Sequence, residues 1–307
     1  MDFKNEFSWS KSRAEVLETC ERKYWFNHYG FWGGWNSDAP KRTREIYVLK
    51  KLHNRYSWTG DVVHKSIEAT LKNFQRSYSI DPESVKKEAH ALLKKQYLES
   101  KRGDYWRAPK KFCGLVEHEY KEEIPDSEWK ERADHVQVCL NQFFGIVFPK
   151  LLEMGPESIA SIEELESFNL DDVKVWVSLD LALKTKNHYL IWDWKTGSIE
   201  NKELKTDPQL GVYLHFAHKK WETTDLEASL VQLGSNYQTL SISYQDYDWE
   251  SFHRQFQVSV EQMKSKLSDV STNTANEERF EKTGIAKNPS PCSHCQYKKV
   301  CSTNETV

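Results

Sequence analysis

Any fold this chain adopts must accommodate residues 173–197, VKVWVSLDLALKTKNHYLIWDWKTG. Val173, Val175 and Val177, then Leu181 and Leu183, alternate with polar or small residues, which is the two-residue period of a half-buried strand. A polar break from Lys184 to Asn187 predicts a tight turn, and Tyr189-Leu190-Ile191-Trp192 predicts the returning strand. Asp180 falls late in the first strand and Asp193 late in the second. Lys195, two residues beyond Asp193, shares its face. Two acids and one lysine therefore converge at one end of the predicted hairpin. Desolvating unpaired charge is costly, so a half-buried strand keeps such residues for a use. The use that suits two converging carboxylates is a divalent metal.

A chain of 307 residues has ample core for one large domain or two ordinary ones. With 43 basic and 46 acidic side chains the net charge is −3, so any site for a polyanion must be local. Twelve Trp, 14 Tyr and 14 Phe in a hydrophilic chain supply core volume and possible base-stacking surfaces. No apolar run approaches about 18 residues and no signal-peptide pattern opens the sequence, so a cytoplasmic protein with no membrane partner is expected. In that compartment six cysteines point to metal or packing and away from disulfides.

From Ser8 to Gly30, Val16, Leu17, Cys20, Tyr24 and Phe26 recur at helical spacing and predict an amphipathic helix with Cys20 on its apolar side. The following FWGGWNSDAPKRTR reads as a solvated loop or, more sharply, as a cationic lip of Lys41, Arg42 and Arg44 beside Trp32 and Trp35. Residues 58–75 predict a helix on which His64 and Glu68, four apart, share a face. Residues 82–154 read as a helical lobe, within which Trp106, Arg107, Lys110 and Lys111 are a possible phosphate contact or simply a solvated charge run. Cys113 and Cys139 lack partners at ligand spacing and read as core. The sheet is expected to begin near Ile159, with Glu163, Glu164 and Glu166 on a strand that does not say which of them faces the site. Beyond the hairpin, residues 202–221 predict a helix presenting Gln209 and Tyr213. Strands 226–233 and 237–244, a helix from Trp249 to about Leu267 and a flexible link over 269–278 follow. No repeat and no phosphate-cradling G-x4-G-K-[ST] occurs, so any unwinding must come from another chain.

The tail PCSHCQYKKVC places Cys292, Cys295 and Cys301 within ten residues, two of them as C-x2-C, a spacing for metal ligation. The fourth ligand can be His294, whose place inside the C-x2-C loop hampers its reach, or Cys20 from the other end of the chain.

The ordered set Cys20, Gly60-x3-His64-x3-Glu68, Asp180, Asp193-Trp194-Lys195-Thr196-Gly197, Gln209-x3-Tyr213 and C-x2-C-x5-C resembles the PD-(D/E)XK nuclease superfamily. More narrowly it is similar to RecB/AddB-type nuclease domains with an iron–sulfur cluster and to the CRISPR-associated exonucleases of that type. The motifs run from Ser8 to Cys301, with none in 82–154; Ser178 stands near where relatives often carry Gly. The resemblance implies an α/β fold with a restriction-endonuclease-like mixed central sheet flanked by helices, a helical lobe and a C-terminal iron–sulfur clasp. It implies one nuclease domain over 1–307, with an N-terminal helix (1–30), the lobe (82–154), a catalytic sheet core (156–245) and a cluster-binding tail (285–302).

The same resemblance implies that His64, Asp180, Asp193 and the backbone carbonyl of Trp194 hold Mg2+ or Mn2+. It makes Asp180, Asp193, Lys195, Glu68, Gln209 and Tyr213 the catalytic set, with Gln209 and Tyr213 lining the entrance. Cys20, Cys292, Cys295 and Cys301 are implied ligands of a structural [4Fe-4S] cluster. The implied activity is metal-dependent hydrolysis of DNA phosphodiesters, exonucleolytic on single-stranded ends, in repair, recombination or defence, with a helicase or another such protein as a possible partner. A DNA-binding iron–sulfur subunit of a larger helicase–nuclease or defence assembly is the alternative. A zinc-stabilised interaction protein would leave the DWKTG run without a purpose.

Overall fold

The computed structural model describes residues 4–186, 188–200, 202–283 and 291–301. Asn187 of the expected turn, the first three residues of the expected N-terminal helix, and residues 285–290 and 302 of the expected cluster tail lie outside them.

A five-stranded mixed sheet organises the protein, in the order β1 (Ile159–Ser161), β4 (Leu181–Thr185), β5 (His188–Lys195), β6 (Leu226–Gln232), β7 (Gln238–Ser243). All neighbours are antiparallel except β5 and β6. Parallel neighbours need a crossover, and helix α9 (Pro208–Trp221) supplies it. The expected hairpin differs in one respect. Its first strand divides at Asp180: β3 (Val173–Leu179) leaves the sheet to pair with β2 (Glu164–Leu170), and only β4 stays beside β5. Trp9 draws β3 away, through Trp9 N–H to Lys174 O (2.8 Å) and Trp176 N–H to Trp9 O (2.9 Å).

One face of the sheet is covered by α1 (Lys11–Thr19), α9, α10 (Trp249–Ser265) and β3, in a core that includes Trp9, Leu210, Phe216, Phe252 and Val260. The other face meets α4 (Arg55–Gln75), α5 (Pro82–Arg102), α7 (Asp126–Gln142) and α8 (Phe148–Met154). There Leu181, Leu183, Trp194 and Val231 of the strands pack with Val62, Leu71, Val136 and Phe143 of the helices. The helices expected as a lobe are thus one wall of the sheet's core. Short α6 (Val116–Glu119) completes this group.

Four other segments depart from expectation. The N-terminal helix breaks at Cys20, whose extended backbone (φ −163°) separates α1 from α2 (Glu21–Trp25), and a π-helical turn, Phe26–Gly30, follows. The expected solvated loop or cationic lip is partly helical: α3 (Lys41–Leu49) presents Arg42 to Glu277 at 2.6 Å and Arg44 donates to Gly34 O, while Lys41, Trp32 and Trp35 stay exposed, the two indoles packed edge-on. The link 269–278 is tied down, with Asn273 accepting from Tyr29 and donating to Asn5 O, and Glu277 joining Arg22 and Arg42. The helix expected from 202 begins only at Pro208, where the Asp207 carboxylate accepts from the N–H groups of Gln209 and Leu210. Among the described residues, no helix is long and apolar enough to cross a membrane.

Candidate active site

The site forms where the C-terminal end of β5, the bend between β3 and β4, the start of α9 and the middle of α4 meet. Asp193 is 2 % exposed on β5. Its Oδ1 accepts from Gln209 Nε2 and from the Tyr213 hydroxyl, each at 2.9 Å. The one-turn spacing on α9 aims both side chains at the same oxygen. Gln209 also accepts from Lys195 Nζ at 3.0 Å, so the two expected pairs form one network. Tyr213 is buried, and the Gln209–Tyr213 pair grips Asp193 and Lys195 instead of lining an entrance. Lys195 Nζ lies 2.6 Å from Asp193 Oδ2, as the shared strand face predicts. The Lys195 ammonium is thus the cationic partner of that buried oxygen.

Asp180 sits at the bend between β3 and β4, 7 % exposed, its Oδ2 accepting from the Trp194 N–H at 2.7 Å. The Trp194 indole is buried against Phe143, while its carbonyl belongs to the backbone between Asp193 and Lys195. From α4, His64 brings Nδ1 to 3.2 Å from Glu163 Oε1 and 3.5 Å from Asp180 Oδ2. A Cβ at Gly60, one turn earlier, would stand 3.4 Å from Thr196 Oγ1, so here α4 touches the residue after Lys195.

The selection among Glu163, Glu164 and Glu166 is made by the backbone. Glu163 lies between β1 and β2 with φ +49°, a left-handed conformation that costs a non-glycine residue about 1 kcal/mol or more. That conformation directs its carboxylate to His64. Glu68 goes the other way: its Oε1 takes Lys72 Nζ at 2.5 Å, one turn further along α4. His135, which no local pattern singles out, comes from α7, and its Nε2 is 2.8 Å from the Thr196 carbonyl, to which it must donate.

His64, Glu163 and Asp180 offer ligand atoms that all lie within 4.8 Å of one another. The electrostatics are those of a site short of positive charge. Burial first, then Asp193 and Glu163, push the Asp180 carboxyl up to about 8. Burial alone would lower His64, but the Glu163 hydrogen bond and the Asp180 carboxylate lift it to about 9. Burial and the Asp193 carboxylate hold the Tyr213 hydroxyl well above its ordinary value. A divalent cation fits this donor set and would relieve the mutual repulsion of the carboxylates; Asp193, whose Oδ2 is paired with Lys195, stands outside the group of three.

The cysteines expected as the second centre lie where the two chain ends meet. Burial pushes the Cys295 thiol up, and the neighbouring Cys20 and Cys292 add to the shift. Cys301 is raised by burial, with Cys295 and Cys20 adding to it. Burial would raise Cys20 too, but hydrogen bonds from Thr283 and from backbone N–H groups bring it below its ordinary value. Around them Tyr297 stacks on Phe26, with ring centres 4.8 Å apart, and its hydroxyl meets Asn27 Oδ1 at 2.5 Å. Cys113 and Cys139 lie away from this group, their thiols pushed up to about 12 chiefly by burial in the helical wall.

Compared with known protein families, the sequence matches the PD-(D/E)XK nuclease superfamily over residues 8–302. No curated protein matches it.

Proposed function

The chain belongs to the PD-(D/E)XK nuclease superfamily, whose members are metal-dependent phosphodiesterases, and from that premise we propose that it is a DNA exonuclease acting on single-stranded ends in repair, recombination or defence. The observation that carries the reading is the Asp193 carboxylate. It is buried, clamped on one oxygen by Gln209 and Tyr213, and holds the other 2.6 Å from the Lys195 ammonium. A strand-end ion pair of purely structural use would not require that construction, being worth about 0–1 kcal/mol when exposed.

In this reading His64, Asp180, Asp193 and the Trp194 carbonyl hold Mg2+ or Mn2+. Imidazole among oxygen donors makes Mn2+ the closer match, and the oxygens also accommodate Mg2+. The ion supplies Lewis acidity toward the phosphate and its attacking water. Lys195 orients that water and offsets charge growing on the phosphate, its Nζ fixed by Gln209. Glu163 orients His64 through the 3.2 Å contact, while Glu68, expected in the catalytic set, pairs with Lys72. His135 steadies the peptide after Lys195.

We assign Cys20, Cys292, Cys295 and Cys301 to a [4Fe-4S] cluster of RecB/AddB type that fastens the two chain ends. The support is the mutual electrostatic influence of the thiols across some 270 residues of sequence.

The test is digestion of end-labelled linear and circular single-stranded DNA with Mn2+, Mg2+ or EDTA by anaerobically purified protein, beside Lys195→Ala. Loss of the linear substrate alone, abolished in the variant, supports an exonuclease. Cutting of the circle reassigns it as an endonuclease. Binding without cleavage would leave only a binding subunit.

A further inference from the structure

The turn 101–112, KRGDYWRAPKKF, carries five cations and one acidic residue in a chain of net charge −3. Arg102 is paired with Asp104 at 2.8 Å. Lys101, Arg107, Lys110 and Lys111 are exposed, and among the described residues none has a carboxylate within ion-pair distance. Glu119, the nearest acid in the local network, is already taken by the Tyr105 hydroxyl at 2.6 Å, the Trp106 indole N–H at 2.8 Å and Lys299 at 2.5 Å.

The turn is also firmly built. Gly103 takes the left-handed conformation that ends α5, Tyr105 is buried, and backbone bonds run from Trp106 N–H to Gly103 O, Arg107 N–H to Asp104 O and Phe112 N–H to Ala108 O. Gly114 closes it, since a Cβ there would meet Leu52 at 2.4 Å and Tyr105 at 2.7 Å. Like charges repel, and a flexible loop would let them spread; this one holds them on a fixed frame with Trp106 exposed among them.

The frame is continuous with the active site. Its exit forms an isolated bridge with His53, two residues before α4, through Val116 N–H to His53 O (2.9 Å) and His53 N–H to Gly114 O (3.0 Å). From Arg55 at the start of α4 to His64 is about 14 Å along the helix, or about four stacked nucleotides at 3.4 Å each. Along that stretch stands Tyr56, 53 % exposed, flanked by the guanidinium groups of Arg55 (4.7 Å) and Arg132 (5.0 Å).

We propose that Lys101, Arg107, Lys110 and Lys111 form a second contact for the phosphate backbone of the substrate strand, engaging nucleotides several positions away from the bond that is cut. The contact deepens the nuclease reading and rests on it. Its chemistry is charge complementarity without base readout, so it grips any sequence and rewards length.

The test compares wild type with the triple variant Arg107→Ala/Lys110→Ala/Lys111→Ala, whose exposed positions leave folding nearly unchanged. Affinity for a labelled single strand of about 20 nucleotides is followed in EDTA between about 50 and 200 mM salt. Each lost single-strand phosphate contact removes about 0.7 from the slope of log affinity against log salt, so three removals lower it by about 2. With Mn2+, KM for the long strand rises while turnover of a strand of about four nucleotides, too short to reach the patch, is unchanged. Lys110→Arg/Lys111→Arg keeps the wild-type slope. An unchanged slope in the triple variant overturns the proposal, as does loss of binding to anionic lipid vesicles in place of loss on DNA. Should the wild type cleave neither strand while the slope still falls, the patch stands and the nuclease reading is what fails.

Discussion

The carboxylate cluster at the end of β5 and the thiol cluster at the chain ends both collect like-charged groups, but they are held in opposite ways. Around Asp180 and Asp193 the protein supplies its own partners: the Trp194 N–H, Gln209, Tyr213, Lys195 and His64. Cys20 is met by Thr283 and a few backbone N–H groups, and Cys295 and Cys301 are pushed up by burial and by one another. A site whose side chains hold one another can lose one of them and stay folded. A site that depends on its guest cannot.

The largest effect is expected where that contrast is sharpest. Asp193→Asn and Lys195→Ala should each lower cleavage by about 10²–10³-fold or more, with melting temperature close to wild type, since the surrounding network survives. A melting temperature that collapses with activity would erase the distinction. Cys20→Ala should do the reverse: iron and visible absorbance fall together with stability, by on the order of 4–5 kcal/mol, as for loss of a structural metal site. Cys113→Ala, buried in the helical wall and away from the other thiols, should keep its iron; equal iron in both variants would take Cys20 out of the ligand set.

A pH series separates the two centres further. Asp180 has a folded-state pKa raised from 3.8 to about 8, and His64 is raised from 6.5 to about 9. Each group binds a proton more tightly in the folded state, so its stabilising contribution is present at low pH and lost as pH rises through those values. In EDTA, melting temperature should therefore fall between about pH 4 and 9, most steeply above about pH 6.5 where both groups contribute, and saturating Mn2+ should abolish the fall, because a bound cation favours the charged carboxylate. A profile with Mn2+ that runs parallel to the one in EDTA would mean that no cation meets Asp180. The smallest effect concerns His135. Its bond to Thr196 O is worth about 1 kcal/mol, so His135→Ala should lower kcat by up to about tenfold, and His135→Gln, which keeps a donor, should restore part of it. Equal loss in both would reduce His135 to packing.

Much of the site was legible because its signals are local. Alternation along 189–195 sets Asp193 and Lys195 on one face, and the one-turn spacing of Gln209 and Tyr213 sets both on one side of α9. The failures are tertiary. Alternation runs through Val177, Leu179, Leu181 and Leu183 without interruption, so nothing local marks Asp180 as the bend where β3 turns to β2 and Trp9. Helical periodicity likewise runs through Cys20, whose break answers to Thr283 from the far end of the chain. Glu68 has the right spacing from His64, yet Lys72 claims it, while Glu163 earns its place through a positive φ that composition does not encode. His135 reaches the site only because α7 packs beside α4, a contact between distant segments.

The central claim is that the buried carboxylates form a metal centre. It is tested most directly by titrating Mn2+ into the protein and reading bound ion by electron paramagnetic resonance, for wild type, Asp180→Asn and Asp193→Asn side by side. The account predicts that each substitution weakens binding by more than about tenfold. Mn2+ held equally well by all three proteins would contradict it.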